Sequence, residues 1–337
     1  MDPLVSVVIT VYNLGWCIED TLRSVFAQTY KNIEIIIVDD ASTDDTPARL
    51  APFLDRVKYI QHSTNQGIAM QAAGAPARNT GIRQATGEFI AFLDGDDLWE
   101  PEKLAVQVEA AQQFPHAGLI VVDGVSFAHE DGRLLRSTLL HDYGDNLFQS
   151  LPEGSVSAID IYRRFLQGCV IDCPSQVMVP SKVFQTIGVF THCPSEDYDF
   201  YLRVVEQFEV VIIKKSLARY RCHASSVSGA LDRQFFRFAQ SNITLWKKHS
   251  KKCSADLVPF VRRQIRKKLI TAADLAREDG LSGNMTWASQ FLWGLLIKNL
   301  SYSGSPYVAL SLIRLWCPLW VVSTLKPVTR RLLRLMW

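Results

Sequence analysis

The chain has 337 residues, a formal net charge of +2, 48% hydrophobic and 21% charged residues. This composition excludes a chain dominated by disorder, and the length fits one large α/β domain with an appendage. The near-neutral total conceals two unlike parts: residues 1–246 hold 20 Lys/Arg against 30 Asp/Glu (−10), whereas 247–337 hold 16 against 4 (+12), so different partners are expected for each. Seven cysteines, odd in number and without a C-x-x-C pair, suit reduced thiols better than a disulfide framework or zinc site. The Cys169/Cys173 spacing would place that pair on one helix face. No apolar run follows a basic start, so no signal peptide and a cytoplasmic location are expected.

VSVVITV (5–11) is a β-branched run, and CIEDTLRSVFAQT (17–29) follows with Ile18, Leu22, Val25 and Phe26 at helical spacing. IEIIIVDD (33–40) is nearly all apolar, the pattern of a strand buried on both faces, and DDTPARLAPFL (44–54) predicts a helix with acidic residues at its positive end. VKYI (57–60) predicts a strand, 69–85 a helical stretch interrupted by Gly74 and Pro76, and GEFIAFLD (87–94) another strand. PEKLAVQVEAAQQF (101–114) then reads as an amphipathic helix with Pro at its start. Alternating strands and helices predict an α/β fold, a doubly wound and mostly parallel sheet flanked by helices, in which ligands bind beyond the carboxyl ends of strands.

Farther on, LIVVDGVSFAHEDGRLL (119–135) reads as two strands around an Asp131-Gly132 turn, followed by a helix at 159–167 and a strand at 176–179. This middle region is expected to face the acceptor. From Leu231 the pattern is helical, basic at 262–268 and then apolar and aromatic at 287–300 and 306–325. The expected division is a catalytic domain over 1–230 and a helical C-terminal appendage over 231–337.

Three polar clusters fall at strand ends: Tyr12-Asn13, Asp39-Asp40 and Asp94-Gly95-Asp96-Asp97. Three aspartates in four positions repel one another unless a positive group sits among them. An isolated Asp-x-Asp is common in turns, but at a strand's end in a cleft it suits a hard divalent cation that also takes phosphate oxygens. Asp97, nearest the next helix, is expected to cap it. A second carboxylate group opens a helix in SEDYDFYLRV (195–204), where Glu196, Asp197 and Asp199 also offset the helix dipole.

The strings VSVVITVYN, IIIVDDASTDDT and ARNTGIRQATGEFIAFLDGDDLWEPEKL resemble the nucleotide-sugar-binding half of family 2 inverting glycosyltransferases, which have the GT-A fold. The similarity continues through SEDYDFYLRV and RYRCHASSVS (219–228), about two thirds of the chain. The resemblance implies that Thr10 and Tyr12 line the base and ribose pocket, and that Asp40 accepts a base N–H. It puts Arg78 near the base or diphosphate, Asp94 on the ribose and Asp96 on Mg²⁺ or Mn²⁺. It further implies a general base in the Glu196-Asp197 pair, with Asp197 favoured, and a phosphate side made by Arg221 and His223, the latter reaching the metal. GIAMQAAGAPA between Gly67 and Ala77 is longer than the family's usual linker and bears on how Arg78 meets the nucleotide.

The expected function is transfer of a sugar from a nucleotide diphosphate donor, UDP-sugar favoured, to a hydroxyl of a glycan or lipid-linked saccharide in cell-surface polysaccharide synthesis. Two rivals are a nucleotidyltransferase and a nucleotide-sugar-binding scaffold without turnover. No Gly-rich basic loop follows the first strand to receive a triphosphate, and a pure binder needs no base at Asp197. The basic stretch at 262–268 lacks interleaved aromatics, so no nucleic-acid partner is expected. Arg314 and Pro318 interrupt the second apolar stretch. It reads either as an interfacial helix on the inner face of the cytoplasmic membrane, with Trp316, Trp320 and Trp337 at the headgroups and Arg330, Arg331 and Arg334 on anionic lipid, or as a helix packed on the catalytic domain or a partner subunit.

Overall fold

The computed structural model describes residues 2–70, 74–142, 146–159, 161–224, 231–265 and 267–268. The chain divides into two compact units, Met1–Ala230 and Leu231–Trp337.

In the first unit β1 (Val5–Val11) lies at the centre of a parallel set, paired on one side with β2 (Ile33–Asp39) and on the other with β4 (Phe89–Asp94). Val5, Val7, Val8 and Ile9 are fully buried, which is why the strand is β-branched on both faces. β3 (Lys58–Gln61) adds to β2 in parallel. α1 (Ile18–Phe26) buries Ile18, Leu22 and Val25, and the short α2 (Thr46–Leu50) follows β2. The insertion covers most of α3 (Gln66–Met70) and the first turn of α4 (Ala75–Gln84). Pro76 was expected to interrupt a helix; it lies instead in the first turn of α4, where a missing N–H costs nothing. α4 comes close to β1 at Gly81, where a Cβ would lie 2.3 Å from Val8 Cγ1.

The sheet then becomes mixed. β5 (Leu98–Trp99), α5 (Lys103–Gln113), β6 (Ala117–Ala128) and β7 (Leu134–Arg136) follow in sequence. After α6 (Leu147–Ser150), β8 (Val156–Ile159) and α7 (Tyr162–Phe165), the chain enters β9 (Val177–Pro180), α8 (Ser181–Ile187), α9 (Glu196–Val205) and β10 (Glu209–Cys222). The strand order is β3-β2-β1-β4-β9-β6-β10-β5, with β7 on β6 and β8 on β10. β9 runs antiparallel to both β4 and β6, and β10 is parallel to β6. The carboxyl ends of β1, β2, β4, β6 and β10 therefore emerge at one edge. The helix expected over 159–167 is reduced to α7, because Ile159 pairs with Val210 at the end of β8. Cys169 and Cys173 share no helix; the segment between α7 and β9 is irregular apart from a turn of 3₁₀ helix at Pro174–Gln176.

Aromatic packing fixes α9 against this edge. Phe200 stacks on Phe184 at 5.3 Å and meets Phe190 at 4.6 Å, while Phe190 meets Phe92 of β4 edge-on at 5.3 Å. Asn79 of α4 also exchanges two hydrogen bonds with the Phe190 backbone, 2.8 and 3.0 Å. Phe92 lies two residues before Asp94, and Asn79 is next to Arg78. The same contacts thus bring three distant elements to one place.

In the second unit α10 (Leu231–Ser250) ends on Lys247, Lys248 and His249, which complement the negative end of the helix dipole. A further helix occupies 258–265. The apolar stretches 287–300 and 306–325, with their tryptophans and arginines, lie outside the described residues. Among the described residues no helix is long and apolar enough to cross a membrane.

Candidate active site

Arg78 occupies the middle of the constellation. Its Nη2 donates to Asp94 Oδ1 at 2.6 Å and its Nη1 to Glu196 Oε1 at 2.8 Å, with side-chain exposures of 7% for the arginine and 5% for the glutamate. A buried pair of this kind needs good geometry to offset desolvation, and the two-handed guanidinium provides it. Burial works against the Arg78 charge, yet Asp94 and Glu196 outweigh it and hold the guanidinium above its usual pKa. Both terminal nitrogens engage carboxylates, and Nε is buried without a hydrogen-bond partner.

Gly74 makes room for this arginine: a Cβ there would lie 2.7 Å from Nη1 and 2.8 Å from the central carbon of the guanidinium. The side chain is pinned by two carboxylates and cannot move aside cheaply. Gly74→Ala is expected to cost about 1–3 kcal/mol of stability, read by thermal or denaturant melting; an unchanged melting curve would mean that the guanidinium is free to shift.

Glu196 and Asp197 begin α9. Burial first, then the neighbouring charge of Asp197, pushes Glu196 up to about 8 in spite of Arg78. Burial also raises Asp197, opposed by the Arg78 charge and the Tyr198 N–H. Asp197 is half-buried and accepts that N–H at 2.7 Å. The two neighbours therefore have different surroundings: Glu196 holds the arginine, and Asp197 keeps the more open carboxylate. Asp199 Oδ2 accepts from Thr191 Oγ1 and Arg203 Nε, each at 2.8 Å, which secures the loop before the helix.

Asp94, Asp96 and Asp97 part company in the same way. Asp94 also receives the Thr10 hydroxyl at 3.2 Å and stays partly exposed. Asp96 Oδ2 lies 3.0 Å from His223 Nε2, with 23% and 6% of the side chains exposed. Asp97 was expected to cap the following helix and does not. It is fully buried, accepts Ser175 Oγ at 2.6 Å and the Arg221 N–H at 3.0 Å, and so ties β4 to β10 and to the segment before β9. Burial, with Asp96 and Asp94 close by, pushes its carboxyl well above the usual range.

Asp96 and His223 fit a divalent cation by donor chemistry: one carboxylate and one imidazole, with phosphate oxygens and water left to complete the shell. Among the described residues no group of three or more His, Cys, Asp and Glu side chains forms a complete cage.

Asp40 is held firmly. Its Oδ1 is 2.7 Å from His62 Nδ1 and accepts the Gln66 N–H at 3.0 Å, while Oδ2 accepts the Gly67 N–H at 2.8 Å. The aspartate thereby anchors the start of the inserted segment. Tyr12 projects from the end of β1 with 38% exposure, and Trp16, 41% exposed, follows it. Arg221 is buried, its Nε donating to the Asp96 carbonyl at 2.8 Å.

Residues 6–184 match the domain described as Glycosyl transferase family 2. The chain belongs to this family. A β-1,3-glucosyltransferase from Escherichia coli, WfaP, is 32% identical over 71% of this chain and 85% of its own length. An uncharacterized glycosyltransferase of Rickettsia felis is 28% identical over 67% of this chain, and there the match spans about a third of the relative, 35%. The fold resembles that of S. aureus TarS in complex with UDP-GlcNAc, with a TM-score of 0.64, 17% identity and coverage of 91% and 83% of the two chains. Mannosyltransferase PcManGT from Pyrobaculum calidifontis, in complex with GDP-Man and Mn²⁺, gives a TM-score of 0.53 at 17% identity over 92% of this chain and 79% of that one. The family 2 domain here thus has a GT-A, Rossmann-like α/β architecture.

Sequence reading placed Thr10, Tyr12, Asp40, Arg78, Asp94, Asp96, Glu196, Asp197, Arg221 and His223 at the site. The structure joins Thr10, Arg78, Asp94 and Glu196 in one network and Asp96 with His223 and Arg221 in another. His62, Trp16, His129 and Ser175 also belong to the surroundings and escaped notice, since single residues of these types carry no spacing signal.

Proposed function

We propose that this family 2 chain transfers the glycosyl group of a nucleotide diphosphate sugar, a UDP-sugar in particular, to a hydroxyl of a glycan or lipid-linked saccharide, with inversion, in cell-surface polysaccharide synthesis. One observation carries the reading: the Arg78 guanidinium, 118 positions before Glu196 in sequence, joins a donor-side carboxylate, Asp94, to Glu196, the neighbour of Asp197. An α/β sheet that merely bound a nucleotide would have no use for buried acids brought opposite its aspartate cluster. The names of WfaP, a UDP-Glc:α-D-GlcNAc-diphosphoundecaprenol glucosyltransferase, and of TarS in complex with UDP-GlcNAc favour a uridine donor and a lipid-linked acceptor.

In this reading Thr10, Tyr12 and Asp40 border the nucleoside, and Asp94 the ribose. Asp197 removes the proton from the acceptor hydroxyl as its oxygen bonds to the anomeric carbon. The anomeric carbon–phosphate oxygen bond breaks and the electron pair leaves with the nucleoside diphosphate. Negative charge from the carboxylates suits the oxocarbenium-like character of the sugar. Asp96 and His223 would hold Mg²⁺ or Mn²⁺, which when bound neutralises charge on the diphosphate. A cytoplasmic enzyme at the inner membrane face would meet such an acceptor directly.

Donor hydrolysis and transfer across a panel of nucleotide sugars, with and without Mn²⁺, tests this. Metal-dependent release of one nucleoside diphosphate is expected, and Asp96→Asn should lower the affinity for Mn²⁺ with diphosphate about 10–100-fold, by analogy with the loss of groups that support a metal. Nucleotide binding with no release in the presence of lipid-linked saccharides would favour a non-catalytic binder.

A further inference from the structure

His129 follows the last residue of β6 and leaves the sheet at the same edge as Asp94 and His223. Its neighbour is Arg221, which is anchored rather than extended. The Arg221 N–H donates to Asp97, its Nε to the Asp96 carbonyl, and its Nη1 lies 3.4 Å from His129 Nδ1. Nη2 is buried without a hydrogen-bond partner, 3.6 Å from Asp20 Oδ2.

A guanidinium only donates, so His129 Nδ1 accepts, and the proton of the neutral ring resides on Nε2. His129 itself is exposed. Trp16 stands against both imidazoles, its ring 4.3 Å from that of His129 and 4.8 Å from that of His223, so the two histidines flank one indole. A buried arginine thus fixes the tautomer of an exposed imidazole beside the Asp96–His223 pair.

We propose that His129 is a further binding residue for the donor, giving its Nε2–H to the diphosphate of a nucleoside diphosphate while Arg221 orients it. The inference rests on the assignment of this pocket to a nucleotide sugar. It also changes the part played by Arg221, which acts through His129 and the Asp96 backbone.

Calorimetric titration of the full chain with UDP, UMP, GDP and GMP in the presence of Mn²⁺ tests it, using wild type, His129→Ala and His129→Gln. In His129→Ala the preference for diphosphate over monophosphate should fall about tenfold, the effect of one hydrogen bond to a charged group. Affinity for the monophosphate should hold, and His129→Gln, which retains a donor N–H, should recover part of the preference. An unchanged preference in His129→Ala, or an equal loss for both nucleotides, overturns the inference while leaving the pocket assignment in place. Wild type that binds neither diphosphate overturns the assignment and the inference together.

Discussion

Arg78→Met destabilises the fold by about 3–5 kcal/mol, the cost of stranding buried charges by removing one partner, and abolishes transfer. Asp94 and Glu196 lose the one guanidinium that satisfies both, and Glu196, already raised by burial, takes up a proton more readily once Arg78 is gone. Arg78→Lys does not rescue the site, because an ammonium has no rigid two-handed fork. A second substitution makes the argument sharper. Arg78→Met with Glu196→Gln removes one of the stranded carboxylates and should recover part of the lost stability without restoring transfer. Chemical denaturation of the three variants measures this, and equal stability of Arg78→Met and wild type would show that the bridge contributes nothing in solution.

Asp197→Asn should lower kcat by about 10²–10⁴-fold, the usual contribution of a general base, with donor affinity little changed. The amide preserves shape and cannot take a proton. Asp197 is raised by burial, against the pull of Arg78, so its protonated form persists to higher pH than an ordinary aspartic acid. A base is active only when deprotonated. The acid limb of the kcat profile is therefore expected above the ordinary value of about 3.9, with rate falling as pH drops through it. Steady-state kinetics with saturating donor across pH gives both readings. An Asp197→Asn variant with wild-type kcat would move the base elsewhere in the site.

Local sequence determined much of the scaffold. The β-branched runs at 5–11 and 33–39 and the apolar run before Asp94 are strands because such residues fill both faces of a buried parallel sheet, and that pattern repeats within a few positions. The strand-end location of Tyr12, Asp40 and Asp94 follows from the same reading, as does the opening of α9 by Glu196 and Asp197. The family motifs are likewise short strings with their residues in order.

What the tertiary structure alone decided is the use of each charge. Asp96 and Asp97 are adjacent, yet one is partly exposed beside His223 and the other is sealed under Ser175 and the Arg221 backbone. Glu196 and Asp197 diverge through a single ion pair with Arg78, itself possible only because Gly74 leaves space for the guanidinium. His129 acquires its tautomer from an arginine 92 positions away. The reason is physical: backbone periodicity depends on neighbours a few residues apart and can be read along the chain, whereas desolvation and Coulomb energy depend on distances that exist only after distant strands and helices have packed.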